Sequence, residues 1–576
     1  MTAPMNDMIK ALRHNLADRG LDGLIIWRGD MFMGEEVRPC DERLARLTGF
    51  TGSAGYALVM MTSGTVFSDG RYHLQMDKQL DSRIWQWRDS SQDALQAQLA
   101  DYETEKQILH LGYDGTTTSL AQARRLPKDA GNAEVKWHCL AENPIDDLWQ
   151  DRPVAGRNQA YDLTADVTGK SARDKIQDVQ SHLAKKGQDG MIITATDCVN
   201  WLLNIRGDDL ANTPFHLAFA FVPTDGAPRL IEGNSQSYDC ISWRDFCRDL
   251  PQGRYSMDAN TMPMALYEAL SRDGLILEEE ECPLYLPKAC KNDVELSGFA
   301  RAHEIDGLAM VRFWHWLDNA PDITCLSETD LVERLRHERR KSEQYLCDSF
   351  ETIMGAAENG AVIHYRAIKG QDRLIEDNNL LLIDSGGHYQ TGTTDITRTF
   401  AIGTPDAEMT DAYSAVLAAH IALAMSRFPE GTNGAAIDAI CRAPLWATGR
   451  DYAHGTGHGV GHILSVHEGP AHISKRSGPP LAPGMVLSNE PGYYLTNKWG
   501  IRLENLVCVT AFDSGFLGFD SLTLVPFDKR LIDKKALSQE ALSWLNRYHH
   551  HVYETLSPQI TDDGIRRWLA EKCAAL

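Results

Sequence analysis

LADRGLDGLII, residues Leu16 to Ile26, returns at Leu183 to Ile193 as LAKKGQDGMII, with seven identities in eleven positions. Each copy has the pattern of an amphipathic helix ending at a glycine, Gly20 or Gly187, where a left-handed cap is least costly, followed by a short apolar run of buried-strand character. A repeated helix-then-strand unit predicts an α/β (α+β) fold with a duplicated N-terminal half. The competing explanation is chance likeness between two helix–strand junctions.

Working outward, 576 residues at roughly 100 to 200 per domain leave room for about three to five domains. Polar, proline-containing stretches at Asp151 to Gln159 and Pro287 to Asp293 suit linkers. They divide the chain into residues 1–157, 158–292 and 293–576. Beyond the second linker, Leu296, Phe299, Ile305, Leu308, Val311 and Trp314 recur near helical spacing, with Asp293 as the expected N-cap and Pro321 beyond the end. A second helix is expected from about Ala407 to Phe428, stopped by Pro429. Runs with strand character lie at Leu380–Asp384, Thr393–Ile402, Met485–Ser488 and Ile501–Val509.

The composition excludes several classes. Fifty-seven basic against 80 acidic residues give a net charge of −23, which repels phosphate backbones and anionic lipid, so neither nucleic acid nor a membrane is an expected partner. No stretch approaches the ~20 apolar residues that span a bilayer, and the N-terminus lacks the order of a secretory signal. A soluble, cytoplasmic protein is expected. Twelve cysteines without a CxxC pair fit neither a zinc ribbon nor a small disulfide scaffold.

Eight of the 20 histidines fall between His364 and His472, alongside acids set in apolar strands. Asp384 ends the run Leu380 to Ile383, where an uncompensated carboxylate is costly to desolvate. A hairpin centred between Tyr389 and Gln390 would set Asp395 directly opposite it. A turn centred on Asn497 would do the same for Glu490 and Glu504. Like charges so placed repel, whereas a divalent cation converts the repulsion into coordination by hard oxygen ligands; the bland alternative is solvated acids flanking glycine-rich turns. Strand alternation puts Arg502 on the face of Glu504, where it could orient a metal-bound carboxylate, hold substrate, or simply neutralise a buried acid. His454 and His458 stand four apart in HGTGHGVGH, but the glycines and the lack of an HExxH glutamate argue for a loop or strand rather than a zinc-protease helix. The triple His549–His551 follows a terminal helical pattern and is expected to be structural.

The segments NGAVIHY (Asn359 to Tyr365), LLIDSGGHYQTGTTDITRTF (Leu381 to Phe400), HGTGHGVGHILSVHEGP (His454 to Pro470), NEPGYY (Asn489 to Tyr494) and GIRLEN (Gly500 to Asn505) resemble, in order and spacing, the motifs of the X-prolyl aminopeptidases (aminopeptidase P) of the pita-bread metallopeptidases. TGFTGSAG (Thr48 to Gly55), SDGRYHLQ (Ser68 to Gln75) and WLLNIRG (Trp201 to Gly207) extend the likeness to the long, three-domain cytosolic type. The resemblance implies two creatinase-like N-terminal domains before a pita-bread catalytic domain with a C-terminal extension, and a homodimer. It implies Asp384, Asp395, His458, Glu490 and Glu504 as ligands of two divalent cations, with Asp395 and Glu504 bridging. It implies His364, His454 and His467 as substrate and transition-state histidines. Removal of the residue before a penultimate proline, by a hydroxide held between the cations and with Glu490 moving the proton, follows as the expected activity. His364 and His467 would stabilise the oxyanion, and His454, Arg502 and Tyr494 would line the substrate. Oxygen-rich ligation favours Mn2+, with Co2+ or Zn2+ also suited to these donors. A prolidase-type Xaa-Pro dipeptidase and a catalytically silent peptide-binding relative are the alternatives. Arg366, after His364-Tyr365, and His462, after Gly461, are departures not tied to the family pattern.

Overall fold

The computed structural model describes residues 2–90, 94–100, 102, 108–131 and 133–576. They form two compact units, residues 1–164 with 170–284 and residues 165–169 with 285–576.

The first unit contains the duplication. In its first half, a six-stranded sheet centres on Gly23–Trp27. That strand pairs antiparallel with Tyr56–Met60 and parallel with Leu109–Asp114. In the second half, Gly190–Ile193 pairs antiparallel with Phe219–Pro223 and parallel with Gly253–Met257, in a sheet of the same strand order. The glycines of the echo act as expected. The helix Ala172–Lys186 closes on Gly187 at φ +64°, and Gly20 follows the helix Thr2–Asp18 at φ +69°.

The two halves join by a reciprocal set of backbone hydrogen bonds. Leu120 N donates to Met262 O at 2.8 Å and Met264 N to Thr118 O at 2.9 Å, while Ala121 N donates to Ala259 O at 2.9 Å and Ala265 N to Gly115 O at 2.8 Å. Residues 144 apart exchange roles, as a pseudo-twofold axis requires. Asp114 and Asp258, also 144 apart, each cap their own turn, accepting from Thr116 N and Asn260 N.

The second unit opens with the helix Asp293–Asp318. Its N-cap is Asn292 rather than Asp293, because the Asn292 side chain accepts from Val294 N and Glu295 N while Glu295 reaches back to Asn292 N. A three-stranded antiparallel sheet of Ile353–Ala356, Asn379–Ser385 and Ile396–Ile402 follows. A six-stranded sheet runs in the order Phe428–Pro429, Phe516–Ser521, Asn505–Phe512, Val486–Asn489, Gly457–Gly459 and Glu468–Ile473. The helix expected to reach Phe428 ends at Ala424, since Phe428–Pro429 is taken up as an edge strand against Phe516–Leu517.

Alternation along the central strand separates its two faces. Leu381 and Ile383 enter an apolar cluster with Trp314, Phe313 and Phe400. Leu380 joins a second cluster with Val416, Leu487 and Ile501, and Asp384 follows on that same face. The acid is therefore committed to the interior by its neighbours.

No atom lies within 4 Å of a Cβ built on Gly187, so only its left-handed backbone opposes substitution. Gly187→Ala is expected to destabilise the first unit by about 1 kcal/mol. An unshifted midpoint in urea unfolding would contradict the duplicated cap.

Candidate metal centre

Two interrupted hairpins and one short strand build the site. The strands Asn379–Ser385 and Ile396–Ile402 pair Asp384 with Thr397 and Ser385 with Ile396, while beyond a bend His388 pairs with Thr393. The tip is thus Gln390–Thr391, one residue later than the sequence reading placed it. The reason is Tyr389: it is fully buried and its hydroxyl donates to Asp306 at 2.9 Å, so it cannot sit in a turn. Asp384 and Asp395 are consequently diagonal neighbours rather than opposite partners. The strand expected from Thr393 begins in earnest at Ile396, leaving Asp395 at the bend.

The second hairpin follows its expected register. Asn489 pairs with Asn505 and Gly492 with Arg502, which sets Glu490 opposite Glu504 where the ladder lapses beside Pro491. The run Ile501–Val509 is accordingly split at Leu503–Glu504. His458 stands in the short strand Gly457–Gly459, flanked by glycines that permit close backbone approach: a Cβ on Gly457 would meet Ser488 O at 1.9 Å.

These elements bring the five sequence-identified ligand candidates together. Ligand atoms of Asp395, His458 and Glu504 lie within 4.8 Å of one another. His458 Nε2 is 3.5 Å from both Asp395 Oδ2 and Glu490 Oε1. Asp384 Oδ2 accepts from Arg502 Nη2 at 2.6 Å. Burial raises the Asp384 carboxyl above its ordinary range, against the pull of Arg502 and with the push of Asp395. Burial raises Glu490 despite His458 and Arg502, and Asp395 and Asp384 add to it. Burial, then Asp395, Asp384 and Glu490, raise Glu504 well above the usual carboxylate range.

The residues fit a cationic cofactor on one decisive observation. Asp384 Oδ1, Asp395 Oδ1 and Glu504 Oε1 are buried oxygens with no hydrogen-bond partner. Such acceptors are costly unless a proton or a metal ion satisfies them.

Surrounding side chains hold the donors in place. Thr397 Oγ1 donates to Glu504 Oε2 at 2.7 Å. Ser488 Oγ accepts from His458 N at 2.9 Å and donates to Glu490 Oε1 at 3.1 Å. Sequence reasoning missed both, although Thr397 lies two residues from Asp395 and so on its face of the chain. Arg502 is engaged by Asp384, by Ile363 O at 3.3 Å and by the Tyr494 hydroxyl at 2.7 Å. That hydroxyl lies 2.8 Å from His454 Nε2, and His454 Nδ1 is 2.8 Å from Gly455 O. If Nδ1 donates to that carbonyl, Tyr494 donates to Nε2, giving an ordered chain from Arg502 to His454.

The His467 ring packs edge-on at 4.2 Å from His458. His364 is half-buried and follows Ile363, whose carbonyl binds Arg502. Arg366 pairs with Glu351 at the surface, and His462 Nε2 bonds Thr391 O at 2.8 Å. His549 Nε2 accepts from Phe527 N at 3.1 Å in the interior, as a structural histidine should.

With this geometry in view, the comparisons define a class. Residues 297–511 match Metallopeptidase family M24 and residues 515–576 the C-terminal region of peptidase_M24. Residues 8–138 and 151–295 match two Creatinase/Prolidase N-terminal domain families. The chain belongs to metallopeptidase family M24, with two creatinase N-terminal domains before a pita-bread catalytic domain. It is 34% identical over 606 residues to "Probable Xaa-Pro aminopeptidase P" of Laccaria bicolor, spanning 100% of this chain and 94% of that one. It is also 34% identical over 603 residues to the protein of the same name from Pyrenophora teres f. teres, spanning 98% and 92%. The crystal structure of X-prolyl aminopeptidase from Caenorhabditis elegans, described as a cytosolic enzyme with a di-nuclear active site, superposes with a TM-score of 0.92 at 29% identity, over 99% of this chain and 100% of that one.

The raised carboxyls carry a pH signature. A group whose pKa is higher folded than unfolded contributes stability that is full below its unfolded pKa and lost as pH rises through the folded value. Asp384, Glu490 and Glu504 all have this sign, and cation binding must displace their protons. The thermal midpoint of chelated protein should therefore fall further below that of Mn2+-loaded protein as pH rises from 5 to 8. A gap constant across that range would contradict the assignment.

Proposed function

We propose that the chain is a metal-dependent aminopeptidase that removes the N-terminal residue from peptides with proline in second place. The observation that carries this is the set of orphaned carboxylate oxygens around His458, in a chain similar from end to end to proteins named for that activity. Asp384, Asp395, His458, Glu490 and Glu504 would hold two divalent cations. Four hard carboxylates and one imidazole favour Mn2+, though the same donors accept Co2+ or Zn2+. When bound, such ions lower the pKa of water and polarise a scissile carbonyl.

The chain's own residues supply the remaining chemistry. Glu490 is the least enclosed of the acids, its side chain 18% exposed against 12% for Asp384 and 5% for Asp395. It is placed to accept a proton from water and return it to the leaving proline nitrogen. His364 and His467 stabilise the developing oxyanion. His454 faces substrate, with Tyr494 and Arg502 behind it fixing its tautomer and the orientation of Asp384. The domains are assigned to residues 1–157, 158–292 and 293–576. The active form is a homodimer acting in the cytoplasm on peptides. Among the described residues no helix is long and apolar enough to cross a membrane, and the charge of −23 disfavours nucleic acid.

Hydrolysis of an Xaa-Pro-Yaa peptide should stop with chelator and return with Mn2+, while an Xaa-Pro dipeptide is a poor substrate. Preference for the dipeptide would favour a prolidase-type enzyme. Asp395→Asn should lose metal and nearly all turnover, and retention of both would refute the ligand set. His467→Ala should lower kcat by about 10²- to 10³-fold with metal retained; loss of both ions would make His467 a ligand.

A further inference from the structure

Glu328 is a fully buried carboxylate at the start of the helix Glu328–Arg339, outside the candidate metal centre. Its four donors all come from one segment, residues 356–373. Ala356 N donates to Oε1 at 2.8 Å, Asn359 Nδ2 reaches both oxygens at 3.0 and 3.1 Å, Tyr365 OH donates to Oε2 at 2.7 Å and Arg373 N at 3.1 Å. One side chain therefore closes both ends of the loop and also fastens its middle. Glu328 N donates in return to Arg373 O at 3.0 Å.

The loop carries His364 between two anchored neighbours. On one side Ile363 O accepts from Arg502 Nη2, the guanidinium nitrogen that also binds Asp384. On the other, Tyr365 binds Glu328. The loop rests directly on the Arg502 hairpin, since a Cβ on Gly500 would lie 1.8 Å from Gly360 O. Ala357 takes a left-handed φ of +49° to enter it. Non-glycine residues hold that conformation only where surrounding bonds impose it.

We infer that Glu328 is a positioning residue for His364, setting where the imidazole stands relative to Asp384 and Arg502 without touching substrate itself. The inference rests on the role proposed for His364. Gln at this position keeps the volume but offers two donors of its own to the amides it must accept from, so the loop relaxes and His364 shifts.

A double-mutant cycle on the full-length, Mn2+-loaded enzyme tests this. Glu328→Gln should lower kcat by about 10- to 100-fold, as expected for a catalytic group displaced by about an ångström, with metal content unchanged. In a His364→Ala background the same substitution should cost less than about twofold, because the group it positions is gone. Tyr365→Phe, which removes one of the bonds, should show a smaller loss with the same dependence on His364, and it serves if Glu328→Gln fails to fold. Equal losses with and without His364, or loss of bound metal, would overturn the inference. An undiminished kcat in His364→Ala alone would show that His364 has no such role, and the positioning argument would fall with it.

Discussion

Four carboxylates converge inside an apolar scaffold, and much of the catalytic unit serves to make that convergence tolerable. Desolvating one carboxylate costs several kcal/mol, and each further anion adds repulsion in a medium that screens poorly. Arg502 answers only part of this, through one oxygen of Asp384, while one oxygen each of Asp384, Asp395 and Glu504 stays without a donor. Raised carboxyls at Asp384, Glu490 and Glu504 express the same tension. The chain aims these groups at one another and leaves three of their oxygens without a donor, so without a cation they must retain protons, and with one they become its ligands.

The scaffold achieves this with interrupted rather than continuous strands. Asp395 sits where one hairpin bends between sheets, and Glu490 and Glu504 sit where another ladder lapses. Register alone sets each pair on one face of its hairpin, Asp395 diagonal to Asp384 and Glu490 opposite Glu504. The gaps release them toward a common point, and Thr397, Ser488 and Arg502 then fix their orientation. A buried neutral imidazole, His420, braces the same region: burial depresses its pKa to about 3, and Nδ1 bonds Asn489 O at 3.1 Å, beside Glu490.

Much of this was legible in the chain itself. The echo of Leu16–Ile26 in Leu183–Ile193 announced two equivalent domains, because a glycine-capped helix entering a buried strand is a local signal. The pairing of Glu490 with Glu504 was legible because the hairpin about Asn497 has a symmetric apolar pattern. The Asp384–Asp395 register was not, since the turn position depends on burial of Tyr389 against Asp306, a contact spanning more than 80 residues. Glu328 was invisible for the same reason: its significance lies in four donors from a loop distant in sequence. Helix ends failed at the level of single residues, where Asn292 outcompetes Asp293 by capping two amides.

The most direct test of the electrostatic claim is anomalous diffraction from crystals grown with excess Mn2+. Two peaks should lie among Asp384, Asp395, His458, Glu490 and Glu504. Carboxylates turned away from one another around a site lacking anomalous signal would contradict the account.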